Sequence, residues 1–85
     1  MTTLYLVNQK TQAQQLPAIL YNGDGVLLCG EAVQAWQQQW PQHVQVHVLA
    51  EDVLARNLQL PEGLACVDYA GFVELCSQHD KVTAW

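Results

Sequence analysis

Gly23-Asp24-Gly25-Val26-Leu27-Leu28-Cys29-Gly30-Glu31-Ala32-Val33-Gln34-Ala35 (residues 23–35) is the stretch whose reading decides the fold. Val26-Leu27-Leu28-Cys29 is an uninterrupted apolar run between glycines, the pattern of a strand buried on both faces. Gly30 turns the chain. Val33, Trp36 and Trp40 then recur at i, i+3 and i+7, a helical stripe ended by Pro41. A doubly buried strand followed by a helix needs a crossover to its neighbour, so the stretch predicts a parallel sheet.

Working outward, Leu4 to Val7 reads as a buried first strand, and Asn8 is placed to cap the helix that follows. Ala13, Leu16, Ile19 and Leu20 keep helical spacing, with Pro17 predicting a kink or a late helix start. Asn22 to Gly25 form a breaker, with Gly23 suited to a left-handed helix end. Val44-Gln45-Val46-His47-Val48 alternates strictly, which predicts a strand with one apolar and one more polar face. Glu51 and Asp52 open a short helix with Val53 and Leu54, their charges complementing its N-terminal dipole. Leu64 to Val67 reads as another buried strand. Asp68 caps a final helix whose face is Tyr69, Phe72, Val73 and Cys76. Val82 to Trp85 adds a short last strand. The expected fold is one small doubly wound α/β domain spanning 1–85, flavodoxin-like, with a four- to five-stranded, mainly parallel sheet and helices on both faces. Chemistry in such a fold gathers beyond the carboxyl ends of the strands, at Asn8, Cys29-Gly30-Glu31, Ala50-Glu51-Asp52 and Asp68-Tyr69.

Composition narrows the function. The chain has 85 residues, 51% of them apolar and 13% charged, with a net charge of -5. A chain this short buries roughly 60–65% of its extended surface, so its core is thin. Twelve glutamines supply much of the polar surface. A neutral surface of this kind repels other proteins weakly, which points to a partner. Three basic residues argue against direct nucleic-acid binding. No apolar run reaches the ~18–20 residues of a membrane span, and the start MTTLYLVNQK does not read as a signal peptide. The cytoplasm is the expected location. Cys29, Cys66 and Cys76 are odd in number and lack a Cys-x-x-Cys pair, which fits free thiols in a reducing compartment.

Among side chains with chemistry, Cys29 is the candidate thiol. It ends a strand just before a helix N-terminus, where thiolates are stabilised, although Glu31 adds opposing charge and a plain core role is the alternative. Cys66 and Cys76 read as core residues. Glu51 and Asp52, being adjacent on a helix, point apart and make a poor acid/base pair. His43, His47 and His79 show no metal-ligand spacing, and His47 reads as a surface or interface residue on the polar side of its strand. No phosphate loop or Ser/His/Asp arrangement is visible, and no metal or cofactor is expected.

VDYAGFVELCSQHDKVTAW (67–85) resembles the ending of the DsrH/TusB family of sulfur-relay proteins through Asp68, Tyr69, Phe72, Val73, Ala84 and Trp85. HVLAEDVLARNL (47–58) and GDGVLLCGEAVQA (23–35) are similar to two further segments of that family, in the same order. The resemblance implies the fold of the DsrE/DsrF/DsrH-like superfamily. It also implies a subunit of a sulfurtransferase heterohexamer, with DsrE/TusD-like and DsrF/TusC-like partners. Such complexes relay persulfide sulfur in tRNA wobble-uridine 2-thiolation or in dissimilatory sulfur oxidation. In the DsrE/TusD-like subunits the sulfur-carrying cysteine follows the third strand; the matching stretch Ala50 to Asn57 has no cysteine and carries Glu51 and Asp52 instead. The resemblance therefore implies a non-catalytic, structural subunit. Tyr5 stands where the family often has histidine, and no Ser-Pro pair follows the first strand. The partner surface is expected at Trp85, Tyr69, Asp68, His47, Glu51 and Asp52, with Trp85 as anchor unless a last strand buries it. An isolated chain can form homo-oligomers through the same surface. The alternatives are a persulfide carrier that uses Cys29 and a module that binds a small ligand at the strand ends.

Overall fold

The computed structural model describes residues 2–38, 40–60 and 64–85. Five strands, β1 (Thr3–Val7), β2 (Gly25–Leu28), β3 (Gln45–Leu49), β4 (Ala65–Val67) and β5 (Lys81–Ala84), form one sheet in the order β4-β3-β2-β1-β5. All four pairings are parallel, with Leu6 opposite Leu27 and Ala84, and Leu27 opposite His47. The expected small doubly wound α/β architecture is therefore the observed one.

Three steps from β1 to β4 run the same way across the sheet. With right-handed crossovers they lay their connections on one face. These connections are helix α1 (Lys10–Gln15) with its 3-10 turn Leu16–Ala18, a 3-10 helix (Gly30–Gln37), and helix α2 (Ala50–Ala55). The fourth crossover returns from β4 to the far edge, so helix α3 (Tyr69–Gln78) covers the opposite face. Side-chain alternation divides the core accordingly. Val7, Val26, Leu28 and Val48 pack under α1, the 3-10 helix and α2, while Leu4 and Leu27 pack under Leu75 of α3. The first core is broad. The second, among the described residues, has Leu4, Leu27 and Leu75 as its buried members.

Local chemistry explains most element ends. Asp68 caps α3, its Oδ1 accepting from the Gly71 N–H at 2.8 Å. Pro17 lies in the first turn of the 3-10 segment Leu16–Ala18, where its missing N–H costs nothing. The first-helix cap differs from expectation. Gln9, not Asn8, occupies the N-cap, with no side-chain capping bond.

The second helix also departs from the sequence reading, being a 3-10 helix instead of an α-helix. Its buried residues Ala32, Val33 and Ala35, with half-buried Trp36, fall into two rows three residues apart, which suits a three-residue turn. Trp40 lies beyond it and donates from Nε1 to the Ala35 carbonyl at 3.2 Å. Both tryptophans pack against the larger core.

Two apolar runs are less buried than they read. β4 is an edge strand and Cys66 is exposed, because a strand with one neighbour is left open on its outer side. On α3 the core-facing residues are Phe72, Leu75 and Cys76, whereas Tyr69 and Val73 are exposed. A helix on a flat sheet buries a narrower stripe than the sequence pattern offers.

Candidate functional site

At the carboxyl end of the sheet, the β2 turn is held by backbone and carboxylate together. Gly30 has φ +54, and an added Cβ would come to 3.4 Å from the Asn8 carbonyl oxygen, so the turn favours glycine. Its N–H donates to Asp52 Oδ2 at 2.8 Å, joining the turn after β2 to the start of α2. Asp52 thus has a positioning role beyond complementing the dipole. Its ion pair with Arg56, 3.9 Å apart and about a third exposed, adds little.

Cys29 sits inside this junction. Its N–H donates to the Val7 carbonyl at 2.9 Å, and its Sγ lies 3.4 Å from the same oxygen, placed to donate. Burial pushes the thiol above its ordinary value, and the Asp52 carboxylate pushes it further the same way. The expected thiolate stabilisation at a helix start is therefore overturned. The terminus is a short 3-10 helix whose Gly30 N–H is already taken by a carboxylate. Cys29 is a protonated thiol at neutral pH and a poor nucleophile.

Tyr69 stands at the same rim, 54% exposed, with its phenol pushed up chiefly by the neighbouring Glu51 carboxylate. Glu51, Asp52, Asp68, Tyr69 and Cys29 thus gather at one end of the sheet, an acidic rim around a muted thiol. Trp85 lies on the α1 side. Its Nε1 donates to the Gln12 carbonyl at 3.1 Å and its ring meets Tyr5 edge-on at 6.1 Å. Its N–H donates to the Leu6 carbonyl at 2.8 Å, so a final strand does seat it within the chain.

His47 departs from its surface reading. It is only 9% exposed, on the α3 face, and neither ring nitrogen has a partner among the described residues. Two-sided coverage of the sheet explains this, since the more polar side of β3 is the side on which α3 lands.

Among the described residues there is no concave pocket and no group of three or more side chains placed to hold a metal ion. Among the described residues, no helix is long and apolar enough to cross a membrane.

The family model described as DsrH like protein matches residues 7–82. The chain belongs to the DsrH-like family. Members of this family are sulfur-relay complex subunits, which act together with other subunits. A comparison with curated proteins gave no match. In this DsrH-like chain the region after the third strand, Ala50 to Asn57, has no cysteine and carries Glu51 and Asp52.

Thiol reactivity follows from exposure and pKa. With iodoacetamide at pH 7.5, exposed Cys66 is expected to label at least tenfold faster than Cys29, read by peptide mass spectrometry over time. Comparable rates would show that Cys29 is activated after all.

Proposed function

We propose that this DsrH-like chain is the structural, non-catalytic subunit of a persulfide relay, assembled with DsrE/TusD-like and DsrF/TusC-like subunits in a heterohexamer. The observation that carries this reading is the state of Cys29. The thiol at the strand ends is half-buried, protonated and turned to the Val7 carbonyl, while the loop after β3 has carboxylates where a carrier would need sulfur. The partner contact is assigned to the rim of Glu51, Asp52, Asp68 and Tyr69, in which an exposed aromatic ring stands among acids and complements a basic partner surface. With three basic residues, the chain leaves any tRNA contact to another component. Its free cysteines suit the reducing cytoplasm. The relay serves tRNA wobble-uridine 2-thiolation or dissimilatory sulfur oxidation.

The test reconstitutes the chain with the two partner subunits and a persulfide donor, then maps every modified thiol by mass spectrometry. A partner cysteine is expected to load sulfur while Cys29 stays unmodified, and Cys29→Ser is expected to transfer at the unaltered rate. Loading of Cys29, or loss of transfer in Cys29→Ser with the complex intact, would favour the carrier reading instead. Failure of the chain to join either partner would remove the subunit assignment. Loss of 2-thiouridine from tRNA on deletion would assign the pathway to thiolation, and its retention would assign it to oxidation.

A further inference from the structure

Helix α3 has ten residues, and an isolated helix shorter than about 12–15 residues is marginal in water. It therefore persists because it lies on the sheet. Buried Leu75, with half-buried Phe72 and Cys76, packs over Leu4 and Leu27. His79 closes the helix. Its Nδ1 donates to the Leu75 carbonyl at 2.8 Å, and its Nε2 is so near β2 that a Cβ on Gly25 would lie 2.8 Å away.

Under the same helix is His47, 9% exposed, with both ring nitrogens unpartnered among the described residues. A neutral ring bears this as hydrogen bonds left unmade. An imidazolium would put a charge and a second N–H donor in the same dry layer. On that side of the sheet its neighbours are Gln45 and Leu49 of β3, Gly25 and Leu27 of β2, and Ala65 and Val67 of β4, none titratable. Leu4 and Leu6 of β1, with Val82 and Ala84 of β5, continue the layer. From α3 the titratable groups are Cys76 and His79. The carboxylates around the layer are committed or turned outward. Asp24 accepts from Thr3 and Tyr21, Asp68 from Gly71 and Asp80 from Thr2, while Glu74 is exposed. Burial and then the charge of His79 hold the His47 pKa below the ordinary 6.5.

We propose that His47 is an acid-sensitive latch on α3: on taking up a proton it releases the helix from the sheet, and the acidic rim at the far end of that helix is lost with it. Release lets water reach the ring, which then regains its ordinary proton affinity. The latch is therefore closed above about pH 6.5 and opens as the pH falls below it. Once off the sheet, a ten-residue helix does not hold its shape, so the Asp68 cap breaks and Tyr69 leaves its place beside Glu51. The strand that follows stays paired. The Thr2 N–H holds Asp80 Oδ2 at 2.9 Å and the Trp85 N–H holds the Leu6 carbonyl at 2.8 Å, which confines the opening to α3. Acid thus weakens whatever docks on the rim. This regulatory consequence rests on the assignment of the rim to a partner; the latch itself does not.

Amide hydrogen exchange of the whole chain, expressed as protection factors from pH 7.5 to 5.5, tests the latch. Residues 69–78 are expected to lose about threefold to tenfold in protection, most of it below pH 6.5, with a smaller loss in β1 and β2. His47→Leu is expected to keep α3 protection constant over the range, whereas His43→Gln, at an exposed position, is expected to respond as the parent chain does. Constant protection of α3 in the parent chain, a loss shared equally by β1 and β2, or an equal loss in His47→Leu would overturn the proposal. Affinity for a sister subunit is measured separately at both pH values. Weaker binding at pH 5.5 that His47→Leu restores is expected, and weakening that it does not relieve would overturn the link to the rim. A sister subunit that binds at neither pH removes the subunit reading alone, because exchange decides the latch without a partner.

Discussion

Asp24→Ala is expected to lower the free energy of unfolding by about 2–4 kcal/mol, read from urea denaturation at pH 7.5. Asp24 is 4% exposed, and its two carboxylate oxygens accept from different parts of the chain. Oδ1 takes the Thr3 N–H at 3.0 Å and Oδ2 takes the Tyr21 N–H at 2.9 Å. One side chain thus ties the start of β1 to the turn that launches β2, where the central strand pair begins. Truncation leaves two backbone donors in a part-buried site, each costing about 1–3 kcal/mol when it finds no substitute. An 85-residue domain has only about 4–13 kcal/mol in total, so the variant is expected to be marginal at 37 °C. Asp24→Asn keeps one accepting oxygen and is expected to recover about half of the loss. A change below about 0.5 kcal/mol in Asp24→Ala would mean that water satisfies both donors.

The second large effect concerns His47 and acid. Its imidazole has no partner for either nitrogen among the described residues, and burial pushes its pKa below the ordinary 6.5, with the charge of His79 adding to the shift. Gly25 and Leu27 of β2 and Ala65 of β4 lie on the same side of the sheet as His47, none of them titratable. On α3 the titratable groups of that layer are His79 and Cys76. His79 Nδ1 is held by the Leu75 carbonyl at 2.8 Å. A group whose folded pKa is lowered takes up its proton more readily when unfolded. Stability is therefore full above about 6.5 and falls as the pH drops toward the lower folded value. The slope from this residue reaches about 1.4 kcal/mol per pH unit. Because the buried members of the second core among the described residues are Leu4, Leu27 and Leu75, the loss is expected to show first as loosening of α3. His47→Leu is expected to add about 1–3 kcal/mol at pH 7.5 by replacing two unpaired polar atoms with an apolar side chain. It is also expected to flatten the stability curve between pH 7 and 5.5. Denaturation across that range checks both, and an unchanged slope in His47→Leu would assign the acid sensitivity elsewhere.

Features carried by near neighbours in the chain were legible. Asp68 caps α3 because an aspartate at the N-cap reaches an N–H three residues on, wherever the helix later docks. The turn at Gly30 was legible from its glycine, but its bond to Asp52, twenty-two residues away, was not. The same holds for Asp24, whose place in a breaker was plain and whose hold on Thr3 was not. Cys29 shows the cost of that gap. Strand end and helix start are local signals of a reactive thiol, but the charge that opposes reactivity comes from another loop.

Run lengths, breakers and alternation settled that strands and helices take turns and that the sheet is parallel, since doubly buried strands separated by helices admit little else. The C-terminal motif led to the DsrH-like family. Strand order was decided only by tertiary structure, because nothing local to β4 or β5 says which will lie at an edge. That order exposes Cys66, gives Trp85 a seat beside Tyr5, and brings α3 over the polar side of β3 to bury His47. Periodicity states that a side chain has a face. Which partner that face meets depends on contacts between segments far apart in the chain, and these arise only when the whole sheet closes.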